Sequence, residues 1–263
     1  MSSPPSSALL AAGLWLLLVA TAAAAAPPLY MRGAAGWEAS EDATLRDRDC
    51  ASQTPPALFG CGPGSDGEPM AARGGLGDGE LWEVALGAEM APQWRLELAL
   101  GRRGLDLAAE ANFRGVSAPQ PVRSAGRSTT ALLVATLDLG SPALRVRPFV
   151  AAGAGAARNE IDAVVYAFPT LAPGAVTVVQ GGDHTDLAWM AAAGAAVRLS
   201  PRLHLDLGLR YTDLGELRTD AGPATIVRSR GTFELAIDGT RADLATAGVA
   251  LSLRYRLGAA GGS

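Results

Sequence analysis

Apolar and polar positions alternate with a period of two through much of this chain. The clearest run is Leu203 to Tyr211, where Leu203, Leu205, Leu207, Leu209 and Tyr211 interleave with His204, Asp206, Gly208 and Arg210. That period belongs to a β-strand, not a helix. Similar alternation predicts strands near Leu29 to Glu38, Leu81 to Met90, Trp94 to Arg103, Ser128 to Leu139, Leu144 to Arg158, Leu187 to Leu199, Arg202 to Thr212 and Asp243 to Leu257. One half-apolar strand fits a soluble sandwich and a membrane barrel equally well. The links between strands separate the two.

Three links are a few residues long: Ala91-Pro92-Gln93, Gly140-Ser141-Pro142-Ala143 and Ser200-Pro201. They read as hairpin turns. The other four, near 39–80, 104–127, 159–186 and 213–242, are long, polar and rich in Gly and Pro. Short and long links alternate, which predicts an all-β fold: an eight-stranded antiparallel up-and-down transmembrane β-barrel with short periplasmic turns and long extracellular loops. Two loops carry β-prone stretches of their own, Ile161 to Phe168 with Ala175 to Gln180, and Thr225 to Val227 with Thr232 to Ile237. They are expected to prolong the barrel strands beyond the membrane; ten transmembrane strands is the alternative.

The two faces of the strands carry different chemistry. Met31, Trp37, Trp82, Leu98, Leu133, Val150, Trp189, Leu207 and Leu251 fall on the apolar face, assigned to lipid. Trp94 and Tyr255 lie at the periplasmic rim and Trp37, Trp82 and Tyr211 at the outer rim, as an aromatic girdle requires. The other face holds Arg32, Glu38, Glu83, Glu89, Arg95, Glu97, Arg103, Asp138, Arg145, Arg147, Arg198, His204, Asp206, Arg210, Arg254 and Arg256, with Gly and Ala between them. Side chains fill an eight-stranded barrel. Buried charges must pair, so a salt-bridged plug is expected, not an aqueous pore.

Residues 8–26 form the longest uninterrupted apolar run and end in small residues before Pro27-Pro28. This predicts a signal peptide over 1–25, cut after Ala25, with a retained helical anchor as the alternative. The barrel is then expected over 26–257 and a flexible tail over 258–263. Net charge is −4 and every cation is Arg, without a basic tract, so nucleic-acid binding has no electrostatic support.

Arg147 to Gly155, RPFVAAGAG, resembles a strand of the small outer-membrane β-barrel proteins of the opacity-protein and outer membrane protein A-like family. Leu199-Ser200-Pro201 followed by Asp206 to Gly215, DLGLRYTDLG, is the more specific likeness. Gly248 to Leu257 is similar to the family's C-terminal insertion signal, except that six residues follow Leu257. The resemblance implies a monomer in contact with outer-membrane lipids and lipopolysaccharide, recognised by barrel-assembly machinery through its last strand, with no cofactor and a surface ligand that is not identified.

Chemical motifs are few. His204 alternates into the lumen beside Asp206, where packing or hydrogen bonding is the expected role. His184 lies between Asp183 and Asp186 in an expected outer loop, with too few ligands for a complete metal site. No Ser-His-acid motif of a lipid-modifying barrel enzyme is present. Cys50 and Cys61, close together in the first long loop, predict a disulfide. The leading expectation is a non-enzymatic barrel that acts through its extracellular loops; a narrow porin-like channel and a lipid-modifying enzyme are the alternatives.

Overall fold

The computed structural model describes residues 27–257. The expected signal peptide and tail lie outside the described residues. In chain order the strands are β1 (Leu29–Ser40), β2 (Asp42–Asp47), β3 (Ala72–Gly75), β4 (Asp78–Ala91), β5 (Trp94–Ala111), β6 (Gln120–Asp138), β7 (Val146–Ile161), β8 (Val164–Ala167), β9 (Val176–Val179), β10 (Gly182–Arg198), β11 (Leu203–Arg218), β12 (Gly222–Arg228), β13 (Gly231–Ile237) and β14 (Thr240–Arg256). Eight of them close a ring, β1-β4-β5-β6-β7-β10-β11-β14, each antiparallel to its neighbours. The seam runs from Tyr30↔Arg256 to Ser40↔Thr246, so no edge of the ring is left unpaired.

The eight strands coincide with the eight segments expected from alternation, within two residues at every periplasmic end. Their outer ends run further than expected. Most of the supposed second loop is strand: β5 and β6 pair continuously from Trp94↔Leu137 to Ala111↔Gln120. The reason is a reversal of polarity along the strand. From Trp94 to Leu100 the outward residues of β5 are apolar and the inward ones include Arg95 and Glu97. From Arg102 onward the outward residues include Arg102, Asp106 and Glu110, while Leu105, Leu107, Ala109 and Ala111 point in. The period of two never breaks; only its assignment to lipid ends, near Arg102.

Above that level the protein follows the rule of a water-soluble sheet, with a mainly apolar core inside. Leu45, Phe59, Leu76, Leu107, Val122, Val164, Tyr166, Leu217 and Leu244 are all buried there. The long connections were expected to be polar loops, and this is a correction. Their polar residues face water while their apolar minority packs inward.

The loop hairpins follow the expectation that they extend the barrel strands. β8 and β9 prolong β7 and β10, whose register runs on unchanged from Ile161↔Gly182 to Val164↔Val179, and β12 and β13 prolong β11 and β14 in the same way, from Arg218↔Arg241 to Gly222↔Ile237. The two hairpins join side to side through β9 and β12, and β8 pairs with the outer end of β6 at Val122↔Tyr166. Because β8 and β9 are only four residues each, they fall well short of the ~9–11 residues a transmembrane strand needs.

Candidate functional site

Within the membrane zone the lumen is occupied by two ion clusters joined by one tyrosine. Toward the outside, Arg32 donates to Glu83 (2.6 Å) and Glu97 (2.5 Å), and Arg210 donates to the same Glu83 (2.6 Å). Arg103 donates to Glu38 at 2.6 Å, and Thr246 donates to the same carboxylate. Toward the periplasm, Arg95 donates to Asp138 (2.8 Å), and Arg254 lies 3.3 Å from Asp206 and 3.4 Å from Glu89. Arg256 closes on Glu89 at 2.7 Å. Each carboxylate thus meets a guanidinium, the condition for holding charges away from water.

Tyr30 links the clusters. Its hydroxyl donates to Glu97 at 3.0 Å, and the Arg254 guanidinium lies 5.5 Å from its ring centroid. The ring fits because position 87 is glycine: a Cβ there would come within 2.4 Å of the ring. Tyr30 is not among the lumen residues expected from the sequence, although its phase, two residues from Arg32, carries the signal. The wall opposite the charges, from β6, β7 and β10, is apolar or small, with Val134, Phe149, Ala151, Met190 and Ala192. Between the two walls is a void of about 70 Å³, room for a handful of waters and not for a pore.

Above the clusters, the four extracellular connections meet in an aromatic group. Phe59 of the first stacks on Phe113 of the second (5.1 Å between centroids), and Phe113 packs against Tyr166 (5.8 Å) and Phe168 (5.6 Å) of the third. Arg228 of the fourth lies 4.7 Å over the Phe168 ring. The first loop is braced at both ends. A disulfide joins Cys50 to Cys61, and Asp47 accepts the backbone N–H groups of Leu58, Phe59 and Gly60. Burial pushes the Asp47 carboxyl above its ordinary range, and those three N–H groups oppose the rise. Asn112 ties the second loop to the first, donating to Asp66 at 2.7 Å and accepting from the Ala71 N–H at 2.8 Å.

The matching protein family is the outer membrane protein beta-barrel domain, over residues 8–256. The chain belongs to that family. No curated protein matches at the level of sequence. Among solved structures it is similar to the outer membrane protein OprG of Pseudomonas aeruginosa (13% identity, 89% of this chain and 97% of that one, TM-score 0.50). It is also similar to the outer membrane protease OmpT of Escherichia coli (7% identity, 88% and 97%, TM-score 0.50) and to neisserial surface protein A, NspA (13%, 87% and 97%, TM-score 0.39). At these identities the likeness concerns the fold. One fold carries unlike activities here, a protease among them, so function must be argued from this chain's own residues.

The family's apolar outer face is present: Trp37, Trp82, Trp94 and Tyr255 are exposed on the barrel wall at the expected rims, and Trp189 stands 5.4 Å from Tyr211. The family-like DLG at 213–215 has a physical role. Gly215 has φ +77 at an irregularity between Asp213 and Glu216 where β11 leaves the membrane zone, and a Cβ on it would strike the Asp186 carboxylate.

Two residues expected in the charge network are elsewhere. Arg145 and Arg198 are exposed at the periplasmic mouth and make no ion pair among the described residues. They precede β7 and end β10, so alternation carries them past the end of the lumen. Arg147 stays at the lower edge, 3.7 Å from Asp138. His204 is buried near the mouth, its Nδ1 without a hydrogen-bond partner among the described residues. His184, expected in a loop, is paired in β10 opposite Asn159. Among the described residues no three His, Cys, Asp or Glu side chains gather as a metal site.

Proposed function

We propose that this protein is a non-enzymatic outer-membrane barrel with a closed lumen, which meets its surroundings through the outside of its extracellular cap. The observation that supports this most is the double closure. A path through the barrel would have to cross the paired charges around Glu83 and then the apolar core around Phe113 and Tyr166. With the interior occupied, the cap's outer surface is the part left to make contacts. The β12–β13 hairpin presents exposed apolar side chains there, Phe233 and Leu235. A non-catalytic role agrees with the separation of the histidines, His184 at the extracellular end of β10 and His204 at the periplasmic end of β11.

In this reading residues 1–25 direct export, the assembly machinery engages β14, and the mature monomer sits among lipopolysaccharide. The test is conductance of the purified protein in planar bilayers, where current steps are expected to be small, rare or absent. Replacing the third and fourth loops by short turns should leave insertion intact and remove any surface-binding phenotype. Stable, large, solute-permeable openings would overturn this reading in favour of a porin-like channel.

A further inference from the structure

The periplasmic mouth holds a feature that the closed lumen does not use. A cavity of about 270 Å³ opens there, walled by the turns after β4 and β6 and the ends of β10, β11 and β14. Six arginines line it against two carboxylates, Glu89 and Asp138. Arg95, Arg254 and Arg256 are engaged by acids. The remaining three are held differently. Arg147 shares Asp138 with Arg95, at the longer distance of 3.7 Å, and donates to the Pro92 carbonyl, while Arg198 donates to the Ala143 carbonyl, a contact that aims a guanidinium without neutralising it. Arg145 and Arg198 make no ion pair among the described residues, and the buried Arg147 Nε and His204 Nδ1 have no hydrogen-bond partner there.

Cations brought from separate strands into one concavity repel one another, and low-dielectric walls focus their combined field at the opening. Guanidinium forks match the paired oxygens of carboxylates and phosphates, and an excess of cations favours the more highly charged phosphate. The volume lies just under the ~300 Å³ at which small-molecule pockets begin, which suits a small solute and not a polymer.

We propose that this vestibule is an anion site, taking a phosphate-type oxyanion carried by a small solute on the periplasmic side. Inorganic pyrophosphate, titrated calorimetrically into the folded barrel in uncharged detergent, should bind saturably and more weakly as salt rises. The variant carrying Arg145→Gln and Arg198→Gln should migrate as a folded barrel in unheated gels and bind at least about tenfold more weakly. Arg198→Gln alone serves if the double variant does not fold. Absent or non-saturable binding, or equal binding by folded variant and wild type, overturns the proposal. In vesicles, binding should persist when phosphatidylglycerol replaces part of the phosphatidylcholine. Its suppression there would assign the site to a lipid headgroup phosphate and overturn the solute reading.

Discussion

Replacing Glu83 by Gln tests whether the lumen charges act as a unit. Glu83 is almost fully buried and is the one acid shared by Arg32 and Arg210, each at 2.6 Å. In Glu83→Gln the two guanidiniums fare differently. Arg32 keeps Glu97 at 2.5 Å, while Arg210 is left with Glu38 at 3.8 Å, which is already taken by Arg103. The cost therefore concentrates on Arg210 as a buried cation with a distant partner. Removing one member of a buried pair costs about 3–5 kcal/mol; the residual Glu38 contact and the amide oxygen place this case near 3. With a urea slope on the order of 2–3 kcal/mol per M, the midpoint should fall by roughly 1–1.5 M. Adding Arg210→Met removes the stranded charge, and the double variant should recover more than half of the loss. Equilibrium unfolding in lipid vesicles, followed by tryptophan fluorescence, measures both. A single-variant cost below about 1 kcal/mol, or strict additivity in the double, would refute the idea of a coupled network.

Leu207→Arg puts a charge on the lipid face near mid-membrane and should cost about 2–4 kcal/mol, seen as impaired folding into bilayers, whereas Asp206→Asn should insert and lose thermal stability. Equal folding of Leu207→Arg and wild type would refute the outward assignment of that face. Reduction of Cys50–Cys61 should release order worth about 3 kcal/mol in the first loop by chain entropy; limited proteolysis should then cut between residues 48 and 70 while heat-dependent migration stays unchanged. Phe113→Ala should cost about 3–5 kcal/mol in the cap and speed hydrogen exchange in β8 and β9, without altering the membrane zone. If the exchange of β4 and β5 amides inside the membrane zone, from Val84 to Ala88 and from Leu96 to Leu100, rose as much, the cap and the barrel would be one cooperative unit and not two.

The barrel was legible because its signal is redundant: alternation, loop lengths and rim aromatics such as Trp82 and Tyr255 all point to one architecture. The cap was not, because the sign of the pattern reverses. Leu105 and Leu107 continue the alternation of Arg95 and Glu97, yet a reader who fixes the apolar face as outward must discard them as loop. The lumen charges were readable by parity. Their pairing was not, since Arg210 and Glu83 lie 127 residues apart and nothing local specifies which acid a guanidinium reaches. Arg145 and Arg198 were misplaced for a related reason: parity gives a side of the wall but not a height, and at a strand's end the inward side opens to water. Tyr30 shares the parity of Arg32 and was readable by it, whereas the Phe59–Phe113 stack came from neither rule, because it depends on which loops meet above the lumen.

The reversal of polarity near Arg102 also fixes the molecule along the membrane normal. Sliding the barrel inward by one pleat would carry Arg102, Arg127 and Arg158 toward hydrocarbon, and sliding it outward would wet Trp94 and Tyr255. From Arg102 to Ala111, β5 climbs nine further residues, about 30 Å of strand at ~3.3 Å each and some 20–25 Å of height at a tilt near 40°. Lipid headgroups fill only about the first 6 Å of that distance. The cap therefore rides as on a mast of set length, and whatever touches Phe233 must reach down to a plane the barrel itself has chosen.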